Sequence, residues 1–316
     1  KELINNFSDL TKHNKQILEI EDKITLYHIK CVKELILKKN NFKIDIIGIH
    51  GHTIFHSKRE RISKQLFNAR LFKENIKKNF IYNFRENDIN FGGEGAPLTP
   101  IFHKVLRNKL NLLLPTVFIN IGGIANLTYI DDNQKLISFD CGPGNALVDH
   151  YIQNKSGFNK NFDDNGQLAS NHNYNDVILN TYLSDNYYDL NYPKSLDVND
   201  FSISGVRGLK YGEAVATLSE LTVRSIIKAL EQIKSYPKLI ILCGGGRKNK
   251  YFLKRVNELS SVKTINIDEL NVNGDFIESA AFGYLAIRSV QSKPITYPET
   301  TGVSKPTQGG VLIKTN

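Results

Sequence analysis

The sequence predicts a mixed α/β protein that folds into two lobes. Three glycine-rich turns, at 120–126, 139–145 and 242–249, each follow an apolar, β-branched run and therefore lie where a predicted strand ends. Amphipathic helical segments alternate with these strands. The 316 residues are enough for two lobes with hydrophobic cores, and 41% hydrophobic with 23% charged residues indicates a globular protein.

The first lobe is expected over residues 1–114 together with 291–316. Its first helix, over 16–39, is predicted from apolar residues at steps of three and four, which are Ile17, Ile20, Ile24, Tyr27, Cys31 and Leu35. The glycine-rich segment 92–97 is expected to be a loop. The other predicted elements of this lobe are strands at 43–49 and 79–84 and helices at 65–78 and 101–110.

The second lobe, over 115–290, is expected to begin with an antiparallel meander of three strands. The turn at 131–133 has the Asp and Asn residues typical of a hairpin. A single apolar stripe predicts a long helix over 212–233. The other predicted elements of this lobe are helices opening at 145, near 174–184, and over 249–259 and 278–290, with strands at 238–243 and 263–267.

Charge and composition exclude several classes of protein. The net charge of +9 fits an anionic ligand or nucleic acid, but the lysines are dispersed and no nucleic-acid-binding motif is present, so a compositional bias is favoured. The three cysteines are far apart and odd in number, which argues against a disulfide framework or a zinc site and fits a reducing cytoplasm. No apolar run approaches the length of a membrane span.

The glycine turns are candidate phosphate sites, because glycine lets backbone N–H groups approach a ligand closely. The first turn is a candidate for β- and γ-phosphates, or else a tight hairpin. The second opens a helix, whose N-terminus attracts anions. The third is a candidate for the purine and α-phosphate, or else a strand-to-helix turn with an Asn cap. The predicted nucleotide-binding residues are Gly122, Gly123, Gly142, Gly144, Asn145, Gly244, Gly245, Gly246 and Asn249.

Asp140 is the candidate catalytic residue. It ends a predicted strand just before the helix opening at 145, where a carboxylate can act as general base facing a γ-phosphate. The alternative is an N-cap or turn-forming aspartate. His50, with His52 and His56, is interpreted as part of a polar substrate wall rather than a metal site, since no fourth ligand is evident.

Two further residues of the predicted substrate site have structural alternatives. Arg85 can clamp a carboxylate through paired N–H bonds, or pair at the surface with Glu86 or Asp88. Glu278 opens a helix, where an acidic side chain is also favourable for the helix itself. A group of tyrosines is expected to serve packing and surface: Tyr182, Tyr187, Tyr188 and Tyr192.

The order of strands and glycine turns resembles the sugar-kinase, heat-shock ATPase and actin superfamily, which implies a ribonuclease H-like fold with a central cleft. More specifically, the chain resembles the 1,6-anhydro-N-acetylmuramic acid kinases over nearly its whole length. The motifs that carry this resemblance lie at 47–53, 83–89, 92–98, 120–127, 139–147, 192–195, 216–222, 243–249 and 278–286.

The family resemblance implies a reaction in peptidoglycan recycling. ATP with Mg²⁺ phosphorylates O6 of the anhydro sugar while water opens the anhydro bond. Asp140 matches the aspartate that activates the water, and Arg85 and Glu278 match positions that line the sugar pocket. His50 and Glu94 complete the expected substrate-binding set. No protein metal ligand, membrane or nucleic acid is expected, and a homodimer is left open.

Some positions depart from the family pattern. Nothing in 1–40 resembles the family's first phosphate loop, which is expected upstream of Lys1 or lost. His52 and Glu94 replace the usual Gln, and Phe67 replaces a usual Gly, so the loop at Phe67 is expected to differ in geometry from that of the family. The rival hypotheses are a non-catalytic protein that binds muramyl sugar or nucleotide, and a regulatory ATPase of the same superfamily.

Overall fold

The computed structural model describes residues 7–39, 42–57, 60–157, 159–197 and 200–315. The chain divides into two compact units, one formed by Lys1–Phe102 with Glu278–Asn316 and the other by His103–Ile277. The sequence had placed the lobe boundaries at 114/115 and 290/291, and these boundaries and the cleft stay predictions. The predicted mixture of helices and strands is confirmed.

The strands and helices follow one another along the chain as follows. The strands are β1 Ile47–Gly48, β2 His52–Ser57, β3 Ile62–Leu66, β4 Phe80–Tyr82, β5 Thr116–Ile121, β6 Ile124–Ile130, β7 Leu136–Pro143, β8 Leu239–Cys243, β9 Thr264–Asn266 and β10 Val311–Ile313. The helices are α1 Phe7–Lys12, α2 Asn14–Lys38, α3 Ala69–Asn75, α4 Glu86–Asn90, α5 Pro100–Lys109, α6 Asn145–Ser156, α7 Gln167–Ser170, α8 Asp176–Leu183, α9 Tyr211–Glu231, α10 Lys250–Ser260, α11 Ile277–Val290 and α12 Pro298–Thr301.

The second unit is built on a five-stranded sheet in the order β7-β6-β5-β8-β9. β5, β6 and β7 form the predicted antiparallel meander, whereas β8 pairs in parallel with β5 and β9 in parallel with β8. Three antiparallel strands continued by two parallel ones are the arrangement of a ribonuclease H-like sheet. The predicted fold class is therefore confirmed in this unit.

Helix α9 is the central element of the second unit. Its C-terminal half packs on the sheet through Val223, Ile226 and Leu230, while its N-terminal half packs against α6 and α8 through Val215 and Leu218. All of these side chains are buried. Nearly every residue from Ala214 to Leu230 is buried, so the apolar stripe seen in the sequence is only part of the helix surface that neighbouring elements cover.

The first unit contains a three-stranded sheet in the order β1-β4-β10 and a separate hairpin of β2 and β3. The hairpin corrects one prediction, because residues 62–66 form a strand and the helix predicted over 65–78 is limited to Ala69–Asn75. Phe67 lies between β3 and α3, buried against Phe72 and Phe80 with ring centroids 5.2 and 5.9 Å away. This phenylalanine is therefore a core residue.

Helix α2 buries a different side from the one that its apolar pattern indicates. Its buried positions are Ile17, Glu21, Thr25 and Ile29, whereas Ile20, Tyr27, Cys31 and Leu35 are exposed. Polar contacts explain the difference. The Glu21 carboxylate accepts from Lys64 Nζ at 2.9 Å, and Thr25 Oγ1 accepts from the Asn68 amide at 2.9 Å.

No helix in the described part of the chain has both the length and the apolar character that crossing a membrane requires.

Candidate active site

The turn between β5 and β6 lies directly against the start of α6. The amides of Gly144 and Asn145 donate to the carbonyl oxygens of Gly123 and Gly122 at 2.9 and 2.7 Å, and the Ala146 amide donates to Gly123 O at 3.2 Å. The turn therefore satisfies N–H groups that would otherwise lack a partner at a helix N-terminus. A phosphate-binding role for these particular amides stays a prediction.

The predicted nucleotide-binding glycines other than Gly123 fall into two groups. A Cβ on Gly144 would lie 2.4 Å from Gly122 O, so packing alone requires a glycine there, and the same holds for Gly142, Gly244 and Gly246. A Cβ on Gly122 would come no closer than 3.5 Å to any atom, and one on Gly245 no closer than 4.0 Å. Neither of these two has a positive φ. A Cβ at Gly122 or Gly245 would therefore make only ordinary van der Waals contacts, so packing within the protein does not require a glycine at either position.

Asp140 lies near the end of β7, at a β-bulge. Asn126 pairs with Asp140 and Ala125 with Gly142, so Cys141 is an additional residue on β7. Bulges bend a strand and redirect its side chains, and they are frequent beside active sites. The Asp140 carboxylate is half-buried, and its Oδ2 accepts from the Leu196 amide at 2.8 Å. Hydrogen bonds of this kind favour the ionised form that a general base needs.

The third glycine turn is held by a buried arginine that the sequence analysis did not single out. Arg247 donates to Gly244 O at 2.9 Å, to Asp268 at 2.8 Å and to Asp275 at 2.9 Å. Asn249 caps α10, because its Oδ1 accepts from the Tyr251 amide at 3.0 Å. The capping alternative for Asn249 is thus observed, and its contact with a nucleotide stays a prediction.

In the first unit, Arg85 connects His50 to the glycine-rich loop. Its Nε donates to His50 Nε2 at 3.0 Å and its Nη1 donates to Gly95 O at 2.7 Å. Burial, followed by the nearby Arg85 charge, lowers the pKa of His50 to about 3. The imidazole is therefore neutral, with Nδ1 donating to Gly51 O at 3.0 Å. His50 thus acts as a hydrogen-bond acceptor that orients the guanidinium.

Asp88, which was considered only as a partner of Arg85, holds the same loop from inside. Its Oδ2 accepts from the Gly95 amide at 2.7 Å and its Oδ1 accepts from Thr301 Oγ1 at 2.7 Å. Burial raises the pKa of this carboxyl. Glu94 lies in this loop with 3% of its surface exposed, and its amide donates to Thr301 O at 2.6 Å. The predicted Glu94 site is therefore in a tightly held segment.

Glu278 is exposed in the first turn of α11. Phe282 follows it by one helical turn on the same helix face and packs on the His50 ring with centroids 4.4 Å apart. A cavity of about 340 Å³ in this unit is lined by His50, Gln65 and Asn83, among others. The structure therefore brings His50, Arg85 and the Glu94 loop together, with Glu278 on an adjoining helix, while Asp140 and the glycine turns form the second unit's cluster.

A model of the anhydro-N-acetylmuramic acid kinase family matches residues 1–315. The chain belongs to this family. An anhydro-N-acetylmuramic acid kinase of Pelagibacter ubique is 44% identical, with 99% of this chain and 85% of the relative covered. Those of Agrobacterium fabrum and Zymomonas mobilis are 36% and 37% identical, with 94% and 93% of this chain and 81% and 80% of the relatives covered.

Two solved structures also show similarity to this member of the anhydro-N-acetylmuramic acid kinase family. An activator of 2-hydroxyisocaproyl-CoA dehydratase from Clostridium difficile has a TM-score of 0.37 at 14% identity, over 57% of this chain and 63% of that one. A xylulose kinase from Lactobacillus acidophilus has a TM-score of 0.34 at 13% identity, over 66% of this chain and 45% of that one.

Family membership confirms the resemblance seen in the sequence, and with it the expected enzyme class, a carbohydrate kinase. The three curated relatives are all named as kinases, so they lend no support to a protein that binds sugar or nucleotide without catalysis. Individual site residues remain predictions, and the geometry described above is what bears on their roles.

Proposed function

We propose that this chain is an ATP-dependent kinase that converts 1,6-anhydro-N-acetylmuramic acid into N-acetylmuramic acid 6-phosphate. The observation that carries the proposal is the match of residues 1–315 to the family model. The reaction supplies a step in the recycling of peptidoglycan fragments and is proposed to take place in the cytoplasm, where ATP is available.

Asp140 is the proposed general base. A water oxygen forms a bond to C1 of the sugar while its proton passes to the Asp140 carboxylate. The C1–O6 bond breaks, O6 forms a bond to the γ-phosphorus, and ADP leaves with the electron pair of the broken P–O bond. The hydrogen bond from Leu196 to Asp140 Oδ2 supports this role, since it favours the carboxylate form. Such a reaction depends mainly on positioning and charge neutralisation.

ATP is proposed to bind at the glycine turns of the second unit. Gly122 and Gly245 support this proposal, because packing within the protein does not require a glycine at either position and a glycine lets a ligand approach the backbone closely. Within the described residues, no three His, Cys, Asp or Glu side chains group together as metal ligands. Mg²⁺ is commonly held by phosphates, water and one or two carboxylates, so it is proposed to enter together with the phosphates of ATP. Bound there, Mg²⁺ neutralises phosphate charge.

The sugar is proposed to bind at the cluster of the first unit. Arg85 is fixed by His50 and Gly95 O and offers a guanidinium suited to a carboxylate, such as the lactyl group of muramic acid. Glu94 and Glu278 are proposed to bind sugar hydroxyl groups. Because His50 is neutral, its role is to orient Arg85 rather than to add charge.

The test is to incubate the purified full-length protein with ATP, Mg²⁺ and 1,6-anhydro-N-acetylmuramic acid and to analyse the products by mass spectrometry. The expected product is heavier than the substrate by one water and one phosphoryl group. An Asp140→Asn variant is expected to lose this product while retaining ATP binding. A full-length protein that binds the sugar but forms no product contradicts the proposed function.

A further inference from the structure

The segment before and after Lys194 lies along the outer edge of β7, the edge strand of the sheet. The Asp140 amide donates to Lys194 O at 3.0 Å, and the Leu196 amide donates to Asp140 Oδ2 at 2.8 Å. One short stretch of backbone therefore contacts both the main chain and the carboxylate of Asp140.

Lys194 anchors this stretch through Tyr187. Lys194 is only 7% exposed, and its Nζ donates to Tyr187 O at 3.1 Å and lies 4.7 Å from the centre of the Tyr187 ring. The Tyr187 hydroxyl in turn donates to Asp140 O. Lys194, Tyr187 and Asp140 thus form a closed circuit of three hydrogen bonds around the candidate base.

Stability alone gives a poor reason for a lysine at this position. Burial lowers the pKa of Lys194, which means that the ammonium loses hydration in the folded protein. Replacing a buried charge by an apolar side chain of similar size is often neutral or stabilising. A residue that is costly to bury and is bonded to the segment holding Asp140 fits a functional role better than a structural one.

We propose that Lys194 is a positioning residue for the Asp140 carboxylate, acting through Tyr187 and through the backbone of 194–196. The inference rests on the proposed function, in which Asp140 is the base. Lys194 itself contacts no reacting atom in this scheme. Its ammonium keeps the 194–196 backbone in place, so that the Leu196 amide continues to hold Asp140 Oδ2.

Two groups close to Asp140, the Cys141 thiol and the Tyr187 hydroxyl, do not contribute to the acid limb of kcat. Burial raises the pKa of the Cys141 thiol and of the Tyr187 hydroxyl, so both stay neutral through the acid range. Charged groups that interact electrostatically with Cys141, Tyr187 or Lys194 include Asp140, Asp189, Asp200, Lys194 and Lys228. The acid limb of kcat, which reports the base in the bound complex, can be checked against Asp140→Asn.

The test compares Lys194→Met with a matched control, Lys228→Met, which removes an ammonium lying 5.6 Å from the neighbouring Tyr188 ring. Lys194→Met is expected to lower kcat by about 100-fold, as expected for a misplaced catalytic group. Both KM values are expected to stay within about twofold of the wild type, because the binding groups are unchanged. In Lys194→Met, the acid limb of the kcat–pH profile is expected to move to higher pH, and the thermal midpoint is expected not to fall. Lys228→Met is expected to match the wild type in all of these measurements.

Tyr187→Phe provides a second variant that keeps the ring but removes the hydroxyl that donates to Asp140 O. Tyr187→Phe is expected to lower kcat by about tenfold. If Lys194→Met does not fold, Tyr187→Phe tests the positioning role by itself. Wild-type kcat and acid limb in either folded variant overturn the inference. A fall in thermal midpoint with an unmoved acid limb also overturns it, because that is the behaviour of a structural residue.

Failure of this inference is distinguishable from failure of the proposed function. If Asp140→Asn retains turnover, the base assignment is wrong and the premise is lost. If Asp140→Asn is inactive while Lys194→Met and Tyr187→Phe keep wild-type kcat and pH profile, only the positioning role is wrong.

Discussion

Gly244 and Gly245 are neighbours in one turn, yet the surrounding protein requires a glycine only at Gly244. Gly244 has a φ of +74°, and a Cβ there would lie 2.5 Å from Asn120 Oδ1. A Cβ on Gly245 would have Asn145 Nδ2 as its nearest neighbour, at 4.0 Å. Gly244 is therefore needed for the turn to fold, whereas Gly245 is available for ligand binding.

This pair leads to a prediction about ATP affinity. Gly245→Ala is expected to fold with a wild-type thermal midpoint and to raise the KM for ATP about tenfold, equivalent to about 1.4 kcal/mol, because the new methyl group occupies ligand space. Gly244→Ala is expected to lower the free energy of unfolding by about 1–3 kcal/mol, because the alanine is strained. Wild-type ATP kinetics in Gly245→Ala would show that this space is not used by the nucleotide.

A second prediction concerns sugar recognition by Arg85. Arg85→Lys is expected to raise the KM for the sugar about tenfold, or about 1.4 kcal/mol, because an ammonium cannot donate to His50 Nε2 and Gly95 O in the fork geometry of a guanidinium. The KM for ATP is expected to stay unchanged. The matched control is Arg70→Lys, an exposed residue that pairs with Glu74. Steady-state kinetics with each substrate varied in turn provide the measurement.

The buried Glu220 is expected to matter for stability and not for catalysis. Burial alone would raise the pKa of this carboxyl, but hydrogen bonds from Arg255 and Tyr251 outweigh burial, so the pKa is lowered overall. Arg224 also pairs with Glu220 at 2.9 Å. Glu220→Gln is expected to lower the free energy of unfolding by about 1–3 kcal/mol, because it weakens the charge-assisted hydrogen bonds from Arg224 and Arg255, which are both partly exposed. Denaturant unfolding measures this loss.

Glu258→Gln serves as the control for that experiment. It removes a more exposed partner of the same Arg255, at 2.7 Å, and is expected to cost less than about 1 kcal/mol. Equal losses in the two variants would mean that burial of the Glu220 network contributes nothing.

The buried His103 and the half-buried His50 predict how stability changes with pH. Burial lowers the pKa of His103 to about 3, and burial with the Arg85 charge lowers that of His50 to about 3, from an ordinary value of 6.5. Between these values the unfolded chain binds protons that the folded protein does not. The contribution of these two histidines to the free energy of unfolding is therefore expected to be fully present above pH 6.5 and to be lost as the pH falls toward 3.

His103→Gln tests this expectation by removing one of the two groups. His103 stacks on Phe118 with centroids 4.8 Å apart and contacts Thr128 Oγ1 at 2.9 Å, contacts that a glutamine keeps in part. Unfolding by denaturant between pH 7.5 and 5 is expected to show a shallower loss of stability in the variant. An identical slope would mean that His103 does not contribute.

Local sequence patterns predicted much of the second unit, since their signals lie within single elements. The β5–β7 meander and α9 follow from apolar runs and one stripe of residues, and the glycine turns lie at the strand ends where the motifs placed them. The first unit was harder. The β2–β3 hairpin is polar, and α2 packs through Glu21 and Thr25, whose partners lie more than forty residues away in the chain.

The supporting residues of the site were not predictable for a related reason. The Leu196 amide reaches Asp140 across 56 residues, and Arg247 finds Asp268 21 residues later. No periodicity in the sequence encodes such pairings, because they depend on how the elements pack. The one signal for Arg247 in the sequence is an arginine placed directly after three glycines, where a charged residue is unexpected.

The hydrogen bonds from Gly144 and Asn145 to the β5–β6 turn have a mechanical consequence. These bonds, together with the one from Ala146, join the turn to the first residues of α6, so a displacement of the turn requires either movement of the helix N-terminus or the loss of these hydrogen bonds. Amide hydrogen exchange at Asn145 is therefore a gauge of how firmly the two are coupled.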